Sequence, residues 1–174
     1  FSYRRRDPEN IMEEIRKVKE IGINDLFFGD EIFTIPGHAE NVCEKIKENG
    51  LEISWGCEGK VDIVNKNMLQ KMKNSGCEAV FYGIESGDET ILKSTKKGET
   101  IRDIKNAVKI TKKVGIKVGI YIMLGFPQES WKTFMKTVKL ALFLNPDTIK
   151  LSFLAPYPST EMFQEMERRG LLSD

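Results

Sequence analysis

Apolar positions along this chain switch repeatedly between two rhythms. Ile11, Met12, Ile15, Val18 and Ile21 recur at helical spacing, whereas Leu26-Phe27-Phe28 is a short unbroken apolar run. The first spacing predicts an amphipathic helix, the second a buried strand. Asp7-Pro8-Glu9 opens that helix with an N-cap, a proline at the first helical position and an acid in the first turn, and Gly22 closes it. The alternation then continues. Helices are predicted around Ala39–Glu48, near Lys66–Asn74, over Asp88–Ser94, from a Thr100 cap to Gly115, and over Trp131–Phe143 and Glu161–Arg169. Strands are predicted over Leu51–Trp55, Ala79–Ile84, Val118–Leu124 and Thr148–Phe153. The apolar run Ala79–Ile84 reads as a strand covered on both faces.

Five strand-and-helix units in series predict an α/β fold of parallel strands joined by crossover helices. In such folds the chemistry sits at the strand ends. The turns of interest are Gly29-Asp30-Glu31, Gly56-Cys57-Glu58, Gly83-Ile84-Glu85-Ser86-Gly87, Gly125-Phe126-Pro127 and Ala155-Pro156-Tyr157-Pro158. No G-x-G-x-x-G follows the first strand and there is no Walker loop, which favours an open barrel over a nucleotide-binding doubly wound sheet. The repeat starts on a helix, whereas a barrel normally starts on a strand. The strand that should precede Asp7 is absent, so about five strands are expected, with the first of the barrel missing.

Composition adds boundaries. The 174 residues are 40% hydrophobic and 30% charged, which predicts a single domain over 1–174 with a real core. A formal charge of +1 provides no global field for nucleic acid or membrane. No apolar run reaches the ~18 residues of a spanning helix, and no signal peptide is visible. Arg4-Arg5-Arg6 beside Asp7 and Glu9 does not make a nucleic-acid patch. The three cysteines, Cys43, Cys57 and Cys77, match no zinc or iron–sulfur spacing, and their sparse, odd count suggests a reducing, cytoplasmic setting. Cys43 and Cys77 read as packing residues, and Cys57, at a predicted strand end, as the one with a chance of facing a site. Met residues read as core filler. His38 reads as a surface side chain.

The ordered strand-end sequences resemble the radical S-adenosylmethionine (SAM) superfamily, in the branch often linked to a cobalamin-binding domain. The resemblance rests on Tyr3-Arg4-Arg5-Arg6 with Pro8-Glu9, Phe27-Phe28-Gly29-Asp30-Glu31 with Phe33-Thr34, and Trp55-Gly56-Cys57 with Lys60-Val61-Asp62. It continues through Gly83-Ile84-Glu85-Ser86-Gly87, Gly125-Phe126-Pro127 with Glu129, and Leu154-Ala155-Pro156-Tyr157-Pro158 with Thr160-Glu161. Each piece alone is weak; the ordered set covers nearly the whole chain. It implies a partial parallel (β/α) barrel whose first strand ends in a C-x3-C-x2-C loop holding a [4Fe–4S] cluster. That motif is absent here. The chain therefore reads as a fragment that lacks the cluster motif, with the cluster ligands outside it, and inactive alone.

The resemblance also implies roles. Gly29, Asp30 and Glu31 stand where the SAM ammonium is received, with a solvated acidic turn as the bland alternative. Lys60 stands where a cation meets the SAM carboxylate, or is simply solvated. Glu85 and Ser86 resemble ribose-binding residues, against the alternative that Glu85 caps the next helix. Met123 and Gly125 adjoin adenine, and Leu154 and Ala155 close its pocket through backbone groups. Tyr121 stands where the family has glycine, and Glu129 reads as a helix-start residue. The implied parent is an enzyme that cleaves SAM reductively to a 5′-deoxyadenosyl radical. It acts on an unidentified small molecule, by methyl transfer or oxidative cyclisation, with cobalamin supplied by an N-terminal domain. Two alternatives stay open: a degenerate, non-catalytic barrel, and a cluster-free barrel enzyme that binds a small molecule. The open sheet edge next to the missing strand is expected to favour dimers.

Overall fold

The computed structural model describes residues 5–171. Tyr3 and Arg4 of the N-terminal motif lie outside them. Helix α1 spans Pro8–Glu20, β1 Asp25–Phe28, α2 His38–Glu48, β2 Ser54–Gly59, α3 Lys66–Asn74 and β3 Cys77–Glu85. The chain continues with α4 (Glu89–Ser94), α5 (Ile101–Val114), β4 (Lys117–Leu124), α6 (Trp131–Leu144), β5 (Thr148–Phe153) and α7 (Glu161–Arg168). The five strands form one all-parallel sheet in sequence order, β1-β2-β3-β4-β5. That is the half-barrel that the strand–helix repeat predicts.

Local chemistry explains the boundaries. Asp7 accepts from the Glu9 amide, Asn65 from Met68, and Thr100 forms a capping box with Asp103, each satisfying an otherwise orphaned helix amide. Gly115 ends α5 in the left-handed region, at φ +83°. Helices α1, α2, α3, α5 and α6 cover one face of the sheet, each packing on the next. On that outer face Trp55, Cys57, Val80, Tyr82, Ile84, Val118, Ile120 and Ile122 are buried. Each large apolar side chain there contributes roughly 1.5–3 kcal/mol. The polar atoms it carries are satisfied: Trp55 Nε1 donates to Ser75 O at 2.8 Å, and Tyr82 Oη lies 2.8 Å from Thr111 Oγ1.

The inner face is built differently. Alternation turns Phe27, Gly56, Glu58, Phe81, Gly83, Gly119, Tyr121, Met123 and Lys150 toward it. Gly56 and Gly119 make room for rings: a Cβ on Gly56 would lie 3.1 Å from Phe27 and one on Gly119 2.1 Å from Phe81. Phe27 and Phe81 then meet edge-on at 5.8 Å, and Phe81 stacks on Tyr121 at 5.7 Å.

Three expectations are corrected. Strand β2 covers Ser54–Gly59 rather than Leu51–Trp55, because Gly56 is not a turn here but a slot for the Phe27 ring. Cys57 is consequently inside the strand and on the outer face, beside Cys77 and Cys43, with its thiol pushed well up by burial. Strand β3 is not covered on both faces; its burial alternates, and its inner side is apolar because aromatic rings line the half-barrel. Large apolar side chains are exposed at the far edge of the sheet as well as on Phe27 of β1: Ile149, Leu151 and Phe153 of β5 are 48–80% exposed.

Candidate functional site

The strand ends converge on a cleft because the loop after β1 folds back over β2. Phe33 donates its amide to Glu58 O at 3.0 Å and packs its ring 4.8 Å from Phe28 and 5.1 Å from Trp55. Thr34, fully buried, accepts the Lys60 amide at 3.0 Å. These contacts fasten Glu31 and Lys60 to one rim. The other rim is the end of β3, where the ladder shifts register between Gly83 and Glu85 and Glu85 takes φ +54°. A left-handed glutamate at a strand end is strained and is kept only where its surroundings fix it. Lys97 fixes it: its ammonium pairs with the Glu85 carboxylate and lies 3.4 Å from Gly83 O. A Cβ on residue 83 would stand 2.8 Å from both charged groups, so the pair requires Gly83.

The resulting cleft has a volume of about 310 Å³. Glu31, Glu58, Lys60, Glu85, Lys97, Glu99, Phe81 and Tyr121 line it. Lys60 pairs with Asp62 and places its Nζ 3.9 Å from Glu99 Oε1. The Glu99 side chain is only 4% exposed, and its Oε2 has no hydrogen-bond partner. Burial pushes the Glu99 carboxyl above the ordinary range, and Lys97 and Lys60 pull it partly back. Burial and the neighbouring Glu58 carboxylate push the Tyr121 phenol up to about 12. Lys150 lies over both inner rings, 4.9 Å from Phe81 and 5.2 Å from Tyr121.

Of the residues singled out in the sequence, Glu31, Lys60 and Glu85 meet in this cleft. Gly29 and Asp30 do not line it; they line a neighbouring hollow of about 220 Å³ with Arg6 and α1. Asp30 also faces His38, which opens α2 half-buried, its pKa lowered by burial and by Arg5 against an opposing Asp30. Ser86 is buried with its Oγ 3.2 Å from Thr137 Oγ1 and accepting the Asp88 amide, so its hydroxyl serves the packing of α6. Asp88, not Glu85, caps α4, accepting the Thr90 amide at 2.9 Å. Met123, Gly125, Leu154 and Ala155 group at the ends of β4 and β5. There Leu154 donates its amide to Leu124 O at 2.7 Å, and Gly125 turns at φ +91° with its amide on Glu129 Oε2 at 2.5 Å.

Sequence reasoning missed Glu58, Lys97, Glu99 and Tyr121 as site residues. Period-two alternation from Gly56 would have placed Glu58 on the inner face. Lys97 and Glu99 flank Gly98, just ahead of the Thr100 cap, and nothing local marks them. The three free cysteines are buried, and among the described residues no three His, Cys, Asp or Glu side chains are grouped to hold a metal ion. No helix among these residues is long and apolar enough to cross a membrane.

Known proteins give this geometry its context. The Radical SAM superfamily model matches residues 1–141. An uncharacterized methyltransferase of Pyrococcus horikoshii is 33% identical over 166 residues, covering 94% of this chain and 36% of that protein. An anaerobic magnesium-protoporphyrin IX monomethyl ester cyclase of Rubrivivax gelatinosus is 29% identical over 170 residues, covering 94% of this chain and 30% of that one. The chain thus spans about a third of the length of these relatives. In fold it is similar to the radical SAM methyltransferase TsrM of Kitasatospora setae, solved with cobalamin and a [4Fe–4S] cluster. The TM-score is 0.85 at 19% identity, over 95% of this chain and 34% of that one. The half-barrel, its strand-end cleft and the family match over most of the sequence lead to one assignment: this chain belongs to the radical SAM superfamily.

Proposed function

We propose that this chain is the SAM-holding half-barrel of a radical SAM enzyme that modifies a small molecule by methyl transfer or oxidative cyclisation. The observation that carries the reading is the meeting, in one cleft, of Glu31, Lys60 and Glu85 from three separate strand ends. The fit to SAM is chemical. The ligand brings an ammonium, a carboxylate, two vicinal hydroxyls and a positive sulfur. The cleft offers carboxylates, an ammonium and one buried carboxylate oxygen without a donor. Glu31 accepts from the ammonium, with Gly29 and Asp30 shaping the turn. Lys60 meets the carboxylate by exchanging it for Asp62. Glu85, held by Lys97, accepts the ribose hydroxyls. Met123, Gly125, Leu154 and Ala155 wall the adenine, and Ser86 supports the β3 end from behind.

When bound and reduced, SAM supplies the carbon-centred radical by which this family opens unreactive C–H bonds. The chain's own work is to bind, orient and shield it. A [4Fe–4S] cluster does not fit the described residues, whose thiols are buried on the opposite face of the sheet. Its ligands are assigned to other parts of the protein, and cobalamin to a further domain. The relatives that support methyl transfer and cyclisation are the methyltransferase and cyclase named above.

The test uses the full-length protein, purified without oxygen and loaded with iron and sulfide. SAM should bind, and reduction should yield 5′-deoxyadenosine. Glu85→Ala should weaken SAM binding at least tenfold. Intact SAM after reduction in the presence of extracts containing substrate, or unchanged affinity in Glu85→Ala, would overturn the reading.

A further inference from the structure

Four carboxylates line the cleft, those of Glu31, Glu58, Glu85 and Glu99, against two ammonium groups, Lys60 and Lys97. Both ammonium groups are already engaged. Lys97 pairs with Glu85, and Lys60 with Asp62 from just outside the lining. These pairs are close to neutral as units. The remaining field comes from the unmatched acids, and Glu99 is the one that cannot shed its charge into water. Its side chain is buried, its Oε1 reaches Lys60 only at 3.9 Å, and its Oε2 has no partner. A buried carboxylate oxygen without a donor or counter-charge is costly. The cost is removed if a ligand brings positive charge to that place.

Resting on the reading of this cleft as the SAM site, we propose that Glu99, assisted by Glu58, makes the cleft selective for the sulfonium cation over its uncharged thioether. SAM and S-adenosylhomocysteine share the nucleoside, the ammonium and the carboxylate. They differ in one methyl group and the charge it confers. Contacts to the shared parts hold both ligands alike, so a charge rule has to come from groups that are not spent on those parts. Glu99 faces Lys60 and Asp62 from the loop after β2, Glu85 from the end of β3, and Lys97 from its own loop. In the ligand-free cleft these four are paired among themselves, with Lys60 reaching Glu99 only at 3.9 Å, which leaves Glu99 as the least balanced charge. Burial favours its protonated form in the empty cleft, and a cation bound beside it favours the ionised form. Affinity for SAM should therefore rise with pH through the acid range and level off, while affinity for the thioether should not follow. At an effective dielectric of ~50, between the protein-surface and bulk-water values as suits an open cleft, removing one unit charge about 5 Å from a cation changes affinity by roughly tenfold.

The experiment compares SAM and S-adenosylhomocysteine by equilibrium binding to the cluster-loaded, full-length protein under anaerobic conditions. Wild type should prefer SAM. Glu99→Gln should bind SAM about five- to tenfold more weakly and S-adenosylhomocysteine within twofold of wild type, and should lose the pH dependence. Glu58→Gln, on an open strand face, provides a second arm with a smaller loss in the same direction. Equal weakening of both ligands would show that Glu99 only shapes the cleft, and an unchanged ratio in both variants would equally sink the charge rule. Failure of the wild type to bind either ligand would instead overturn the SAM reading on which the rule rests.

Discussion

The two faces of the sheet are made by the same strands and follow opposite rules. On the outer face Trp55 and Cys57 of β2, Val80, Tyr82 and Ile84 of β3, and Val118, Ile120 and Ile122 of β4 are apolar and buried against helices. On the inner face the intervening positions alternate glycine with rings and charges: Gly56 and Glu58 on β2, Phe81 and Gly83 on β3, Gly119 and Tyr121 on β4. The outer face spends its residues on burial. The inner face leaves its strand ends as a cleft with unbalanced carboxylates. Stability is therefore expected to reside outside and ligand chemistry inside, and that division can be attacked by mutation.

The largest effect should come from the outer face. Ile120→Ala removes a fully buried side chain between sheet and helices and should cost about 2–5 kcal/mol of unfolding free energy. Its inner-face counterpart, Phe81→Ala, empties space that already opens on the cleft and should cost about 1–2 kcal/mol. Chemical denaturation of the two variants checks the contrast. Equal losses would mean that the inner face is a core in its own right.

The same contrast explains what the sequence made legible. Helical and strand periodicity comes from burial, so elements such as α3 and β4 match their predicted limits within a residue or two. Strand β2 was displaced because Gly56-Cys57-Glu58-Gly59 carries the composition of a turn, yet these glycines accommodate the Phe27 ring and the Thr34 and Tyr82 side chains. In the site, Glu31 and Glu85 were found because they lie in turns at predicted strand ends, and Lys60 only through the family resemblance. Lys97 and Glu99 were not, because they reach the cleft from a loop whose path is set by the tertiary fold. Ser86 sits in the right segment, but the Thr137 hydroxyl and the Asp88 amide engage its hydroxyl from the other side.

A smaller effect should follow from crowding the inner face. Gly119→Ala places a Cβ against the Phe81 ring at 2.1 Å and should cost about 1–3 kcal/mol. The ring can escape only toward the lumen, so the variant should also alter the environment of Tyr121, which stacks on Phe81. Near-ultraviolet circular dichroism would register that shift. A stability loss with an unchanged aromatic signal would mean that the strand backbone yields instead of the ring.

Next in size is the junction where the two faces meet. Asp88 caps α4 and pairs with Lys136 of α6 at 2.6 Å. The Lys136 hydrogen bond, with the Thr90 and Ile91 amides, holds its carboxyl below the ordinary value of 3.8. A depressed folded pKa means that the unfolded chain binds the proton more tightly. The stabilisation is therefore complete above the unfolded value and is lost as pH falls through the folded one. Asp88→Ala should cost about 1–2 kcal/mol at neutral pH and flatten the acid limb of the stability curve.

Glu99, in the loop that follows α4, should show the opposite sign and the smallest effect. Burial raises its folded pKa above the ordinary 4.5, so here the native state binds the proton more tightly than the unfolded chain. Its contribution is most favourable below the unfolded value and declines as pH rises through the window up to the folded one. Glu99→Gln keeps the shape, removes the charge and should make the ligand-free protein slightly more stable above that window, with no change below it. Thermal melts of wild type and Glu99→Gln across the acid range measure the difference directly. A variant less stable at neutral pH would show that the ionised carboxylate is fully compensated by Lys60 and Lys97. In that case the inner face would be balanced in the absence of ligand, and the contrast between a face that stores stability and a face that withholds it would fail at its sharpest point.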